Sequence, residues 1–280
     1  YGLSEYALAS HSAEAESLAR RLFDVLESRA HDARYGGYRE FFSRAWGPVP
    51  EGQGTYMGVG QSDTKLMNTH LHLMEALTTY YRLTRQPLAR QRLEELVLIE
   101  TNTVLRKGIA ACTDEYEPDW TPRRVERVSY GHDVENVWLV MDALDALGVP
   151  QAPLTDFGRS LVDNALRYGF DKERGGFYSS GPLGQPADAK EKVWWTEAEG
   201  LVATLTLYRS TGDTRYRDAY LRTLTWIETS QVDAKAGDWY EMILPDGSAR
   251  GLKAYAWKGA YHNGRAMLRC LELLAGMGVN

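Results

Sequence analysis

Cysteine is nearly absent: Cys112 and Cys270 are the only two in 280 residues. That is too few for a disulfide framework, and their spacing suits no metal site, so free buried thiols in a reducing cytoplasm are expected. Positive charge is also short, with 32 Lys and Arg against 38 Asp and Glu, a net charge of -6, and no basic block. This argues against nucleic acid or an anionic membrane as the main partner and does not favour phosphorylated ligands. No apolar run is long enough to span a bilayer, and no charged-then-apolar leader opens the sequence. Aromatic residues, by contrast, are plentiful, with eight Trp and 17 Tyr. Rings with an apolar face and a polar edge suit sugar-binding clefts, although core packing is the ordinary use of any single ring.

The chain reads as paired helices. Ser12 is placed to cap a helix over 13–30, whose face is Leu18, Leu22, Val25 and Leu26. A helix opened by Asn68 runs to about Leu83 with Leu66, Leu73, Ala76, Leu77, Tyr80 and Leu83 as its stripe, and Pro87 starts its partner over 88–106. Helices over 133–147 and 155–168 follow, with Thr155 as a cap, then 195–208 with 215–229, and last 262–274. The first helices of the pairs end near Arg82, Asp145, Arg209 and Leu273, a period of roughly 64 residues. Each of three second helices is followed by a small hairpin turn of one spacing: Asp32-x-x-x-Gly36-Gly37, Asp171-x-x-x-Gly175-Gly176 and Asp233-x-x-x-Gly237-Asp238. Such repeats predict a single all-α domain over 1–280, a toroid of helical hairpins. Six pairs would need roughly 390 residues and this sequence supplies about four and a half, so helices before Tyr1 are expected to complete the ring.

Polar chemistry gathers at the starts of first helices. His72 in Asn68-Thr69-His70-Leu71-His72, His132 in Tyr130-Gly131-His132-Asp133-Val134-Glu135, the pair Trp194-Trp195, and His262 in Tyr261-His262-Asn263 fall near one phase of the repeat and are expected to face one cavity. Asn68 shares the face of His72, four residues on. His11 and His31 read as structural, and His70 as a packing or supporting residue. Three imidazoles could bind a metal, but no His-x-x-x-His or carboxylate-rich cluster accompanies them, so no metal is expected. Acid-base work near neutral pH is the other use: a base on one side of a carbon and an acid on the other. Glu135, three after His132 on one face, is expected to orient that imidazole. A glycoside hydrolase would instead need a flanking pair of carboxylates from Asp133, Glu135, Glu197, Glu199, Asp238 and Glu241, and would leave the imidazoles without a task.

These four segments, with Trp257-Lys258-Gly259-Ala260 leading into the last, resemble the N-acylglucosamine 2-epimerase family in order and spacing, most of all its cellobiose and mannose 2-epimerases. The resemblance runs from near Tyr1 to the C-terminus. It implies an (α/α)6 barrel and a cofactor-independent epimerisation of a reducing sugar: ring opening, removal of the C2 proton to a cis-enediolate, and return of a proton on the opposite face. Return at C1 would give the ketose. Carried over, His262 and His132 handle the C2 proton, with His262 the first base. His72 assists ring opening, Asn68 binds a hydroxyl or the enediolate, and Trp195 (or Trp194) and Trp257 stack on sugar. A small-molecule sugar is the implied partner, for a monomer or homodimer. Three N-terminal helices of the family barrel and a substrate-binding arginine they carry have no counterpart in these residues. Two local departures are Glu197, where relatives often have Gln, and Gly259-Ala260, where cellobiose epimerases commonly have Cys-Pro. The second favours a mannose or glucose substrate over a disaccharide. An aldose-ketose isomerase is the nearest alternative, followed by a hydrolase or a non-catalytic sugar-binding protein.

Overall fold

A computed structural model of the chain describes residues 1–49, 64–123 and 127–278. Among them are nine α-helices and only short strands: α1 Gly2–Ser10, α2 Ala13–Arg29, α3 Met67–Thr84, α4 Pro87–Leu98, α5 Tyr130–Leu147, α6 Thr155–Tyr168, α7 Trp194–Thr211, α8 Thr214–Trp226 and α9 Tyr261–Gly276. The chain divides into two compact units. Unit 1 comprises Tyr1–Leu105, Thr113–Val125 and Leu139–Gln151; unit 2 comprises Arg106–Cys112, Glu126–Trp138 and Ala152–Asn280.

In unit 1, α1 packs on α2 and α3, and α3 on α4. Ser12 caps α2 as expected, its Oγ accepting from Ala15 N at 3.3 Å. The buried face of α2 is a different one, however. Ala15, Ala19 and Phe23 are buried, while Leu18, Leu22 and Val25 are exposed. Two alanines at a four-residue spacing let a neighbouring backbone come close, and Phe23 then stacks on Tyr80 with ring centroids 4.7 Å apart. Helix α3 is buried on nearly every side, including Met67, Leu71, Met74 and Leu77, and polar Thr78 and Thr79. A helix buried all round shows no clean stripe, so Leu73, Ala76 and Leu83 are only half-buried.

Asn68 does not open α3 by capping it. Asp114 does so from a distant loop: its carbonyl accepts from Met67 N at 2.8 Å and its Oδ1 from Asn68 N at 3.0 Å. Helix α4 begins on Pro87, whose missing N–H costs nothing at a helix start.

In unit 2, α7 packs against α6, α8 and α9 and is also buried on nearly every side. Thr155 is the first residue of α6 and does not cap it, because a 3-10 turn over Ala152–Leu154 feeds the helix instead. Helix α5 starts at Tyr130, three residues earlier than expected, so Gly131 and His132 lie inside it. One repeat had no counterpart in the sequence reading. Ile-Glu-Thr closes both α4 and α8 as a π-helical turn, over Ile99–Thr103 and Ile227–Gln231. The π turn lets each helix end on a wider ring before its loop.

The three Asp turns are hairpins of one design. Asp32, Asp171 and Asp233 each exchange backbone bonds with residues four and five ahead. Left-handed backbone at Gly36, Gly37, Gly175, Gly176 and Gly237 explains the glycines, and Asp238 adopts the same region at φ 60°. A lysine braces each turn: Lys65 Nζ lies 2.9 Å from Asp32 Oδ2, Lys192 Nζ 2.8 Å from Asp171 Oδ2, and Lys253 pairs with Asp233. Lys65 and Lys192 are buried, and each also donates to a turn carbonyl, Gly36 or Gly175, so neither charge lacks partners.

Candidate active site

In α3, α5 and α7 the fourth residue ties down the preceding loop. His70 Nε2 accepts from Tyr38 N at 2.8 Å and its Nδ1 meets Leu66 O at 2.6 Å; burial pulls its pKa down to about 4, so it is a neutral structural imidazole. Asp133 Oδ1 accepts from Cys112 N at 3.0 Å, and burial pushes this carboxyl up to about 8. Glu197 accepts from Phe177 N at 2.9 Å. Two of the hydrolase candidates are thereby engaged in holding backbone. Asp238 pairs with buried Lys258, and Glu241 accepts from Leu252 N and Tyr255 OH, which engages two more. His31, also read as structural, bonds Glu95 at 3.2 Å.

The sixth residue carries a carboxylate or imidazole in three of the first helices. His72, Glu135 and Glu199 share that place in α3, α5 and α7. The residues expected to be in phase do not share one place: His132 is third in α5, while Trp195 and His262 are second in α7 and α9. The repeat could have found Glu199, which lies one period beyond Glu135.

Unit 2 nevertheless brings His132, Trp195 and His262 together. The His132 and His262 rings both lie against the Trp195 indole, with centroids 4.8 and 5.8 Å away. Gly131 makes room, since a Cβ there would strike that indole. Behind His262 is a buried charge cluster. His262 Nδ1 is 2.7 Å from Glu199 Oε1 and 3.9 Å from Glu135 Oε1. Arg265 Nη2 bonds the same two oxygens at 2.7 and 2.9 Å, and Trp138 Nε1 donates to Glu199 Oε2 at 2.7 Å. Burial works to raise the Glu199 carboxyl, but Arg265, His262 and Trp138 outweigh it and hold the group down to about 2. Glu199 is therefore ionised and can accept a hydrogen bond from His262 Nδ1.

Glu135, expected to orient His132, reaches Arg265 and the side of His262. Arg265 and Trp138 went unread because neither recurs at the period of the repeat. Glu135, Glu199 and His262 offer donor atoms within 4.8 Å of one another, the arrangement among the described residues that could hold a metal. Arg265 already places a cation on both carboxylates. Trp257 lies in the loop before α9 and is 52% exposed, anchored next door by Lys258, whose Nζ bonds Asp238 at 3.1 Å and Lys253 O at 2.8 Å.

Unit 1 holds the other two candidates. His72 Nδ1 is 3.3 Å from Glu75 Oε2, and Asn68 Oδ1 is buried with no partner among the described residues.

The model of the N-acylglucosamine 2-epimerase (GlcNAc 2-epimerase) family matches residues 2–266. A cellobiose 2-epimerase of Bacteroides fragilis is 32% identical over 282 residues, covering 98% of this chain and 69% of that enzyme. A D-mannose isomerase of Marinomonas mediterranea is 26% identical over 299 residues, covering 98% of this chain and 70% of the isomerase. The solved cellobiose 2-epimerase of Bacillus thermoamylovorans superimposes with a TM-score of 0.88 at 28% identity, covering 97% of this chain and 69% of that one. Fold and site define an all-α enzyme of the (α/α) barrel class, an isomerase acting as a carbohydrate 2-epimerase. The chain belongs to the N-acylglucosamine 2-epimerase family. Among the described residues no helix is long and apolar enough to cross a membrane.

Proposed function

We propose that this chain inverts C2 of the reducing-end unit of a cellobiose, glucose or mannose type sugar, using its own imidazoles and no cofactor, in the cytoplasm. The observation that carries the reading is the placement of His132 and His262 against one indole, Trp195. On the open-chain aldehyde, His262 Nε2 removes the C2 proton. The electron pair moves to C1 and its oxygen as a cis-enediolate, and His132 returns a proton to the opposite face of C2. Ionised Glu199 at Nδ1 stabilises the imidazolium formed on His262, and Arg265 keeps that carboxylate charged. A positioned general base of this kind contributes about 10²–10⁴-fold. His72 and Asn68 are assigned to the sugar oxygens, and Trp195 and Trp257 to stacking on the ring.

The D-mannose isomerase relative favours a second reading, in which the same enediolate is protonated at C1 and a ketose leaves. Incubation with cellobiose, glucose and mannose in deuterated water separates the two. Deuterium at C2 with an epimeric aldose is the expected result, and a ketose as main product would support the second reading. His262→Ala and His132→Ala are each expected to lose exchange at C2. Undiminished exchange in either variant would overturn the assignment.

A further inference from the structure

We propose that a cavity in unit 2, separate from the residues assigned to proton transfer, is a binding site for an acidic sugar: a hexose lying against Tyr178, with its phosphate or carboxylate held by Lys172, Arg174 and Lys190.

The cavity, of about 440 Å³, lies between the second Asp turn and the segment that carries Leu244 and Pro245, and its volume is ordinary for a small-ligand site. None of His132, Trp195 and His262 lines it. The turn that forms one wall is braced by the protein itself. Arg222 of α8 donates to the carbonyls of Asp171 and Lys172, and Asp171 Oδ1 accepts from Glu173 N and Arg174 N, each at 3.0 Å. Arg174 Nη1 in turn reaches Pro245 O at 3.5 Å. A wall already fixed in this way loses little freedom when a ligand binds.

The walls are cationic in a chain whose net charge is -6. Four of the six charged residues that line the cavity are Lys or Arg. Asp171 and Lys192 offset one another at 2.8 Å, which leaves Lys172, Arg174 and Lys190 against Glu173. These three cations are exposed, and none pairs with a carboxylate among the described residues. Like charges gathered round one concavity attract an anion, a local preference that the net charge of the chain conceals.

A second observation lies beneath them. Lys192 is 5% exposed, and its Nζ donates to Asp171 Oδ2 and to Gly175 O. Buried Lys65 makes the same two bonds in the first Asp turn and gives its third N–H to Pro118 O at 2.7 Å. Lys192, which lines the cavity, has no such third oxygen among the described residues. A ligand oxygen there would take the part that Pro118 O plays in the first turn. Tyr178 is half-buried, with Lys190 Nζ and Lys192 Nζ 5.9 and 5.7 Å from its ring centroid. An amphipathic ring beside two ammonium groups matches a ligand that has both C–H surface and an anionic oxygen.

The test titrates the full chain by calorimetry, beside saturation-transfer NMR, with methyl α-D-glucopyranoside 6-phosphate and methyl α-D-glucuronide. Their blocked C1 prevents ring opening, so binding is read apart from any C2 chemistry. Methyl α-D-glucopyranoside and inorganic phosphate are the controls. At least one acidic sugar should bind about ten-fold or more tightly than either control, and which of the two does so identifies the anionic group. Exposed charge pairs contribute little singly, so Lys172→Gln, Arg174→Gln and Lys190→Gln should each weaken binding about two- to five-fold, and the triple variant at least about ten-fold. Glu173→Gln should tighten it, a gain that misfolding would not produce. About ten-fold more salt should weaken it. Mannose at concentrations that saturate C2 exchange should leave the probe bound. The proposal is overturned if neither acidic sugar binds, if inorganic phosphate binds as tightly as the acidic sugars, if the triple variant binds undiminished, or if mannose displaces the probe.

Discussion

Replacing Arg265 by Met removes the guanidinium that bonds both Glu135 and Glu199, whose side chains are fully buried. Two buried carboxylates then face each other without the guanidinium that lay between them. Breaking a buried pair by removing one partner costs about 3–5 kcal/mol. Arg265 is also the largest of the groups that hold the Glu199 carboxyl down against the effect of burial. The sign fixes the pH window. A carboxyl whose folded pKa is lowered adds stability above its unfolded value near 4.5, and that stability fades as pH falls toward 2. The difference between Arg265→Met and the unaltered chain should therefore be full near pH 7 and shrink below about pH 4.5. Urea unfolding followed by tryptophan fluorescence at several pH values measures it. Adding Glu135→Gln to Arg265→Met should recover about half the loss, because one buried charge is gone, and Arg265→Lys should not match the fork that bonds both acids. A cost under about 1 kcal/mol near pH 7, the size of an exposed pair, would refute the reasoning, as would a cost that does not change on acidification.

Asp133 predicts a pH effect of opposite sign. Its folded pKa is raised to about 8 by burial, so stability is full below about pH 4 and is lost as pH rises to about 8. Asp133→Asn keeps an acceptor for Cys112 N and should flatten that loss in unfolding midpoints compared at pH 5 and 9. Gly131→Ala should leave the far-UV spectrum intact while cutting C2 exchange at least ten-fold, because its Cβ displaces the Trp195 indole. In α2, Phe23→Ala should cost about 3–5 kcal/mol and Leu22→Gln less than about 1 kcal/mol; the reverse order would restore the leucine face as the core.

The hairpins were legible because helical period and turn chemistry are properties of neighbouring residues. The glycines at the Asp turns and the roughly 64-residue period announce three small hairpin turns and a run of paired helices without any knowledge of what they touch. The His132, Trp195 and His262 segments stood out for the same reason, as polar or indole residues at the entrances of apolar helices. Finding the right place within those entrances was harder. A start misjudged by three residues, as in α5, moves every later residue to another place in the helix, and the bond of Glu135 Oε1 to Arg265 could not be read from either place.

What the sequence determined by itself was therefore the repeating helical design and the short list of imidazoles able to do acid-base chemistry. Tertiary structure alone decided which of two stripes on α2 is core, and it alone joined Trp138, Glu199, His262 and Arg265, residues far apart along the chain. The physical reason is that period is written in local order. A choice between rival faces, and the pairing of buried charges, depends on distances through space that no local pattern records.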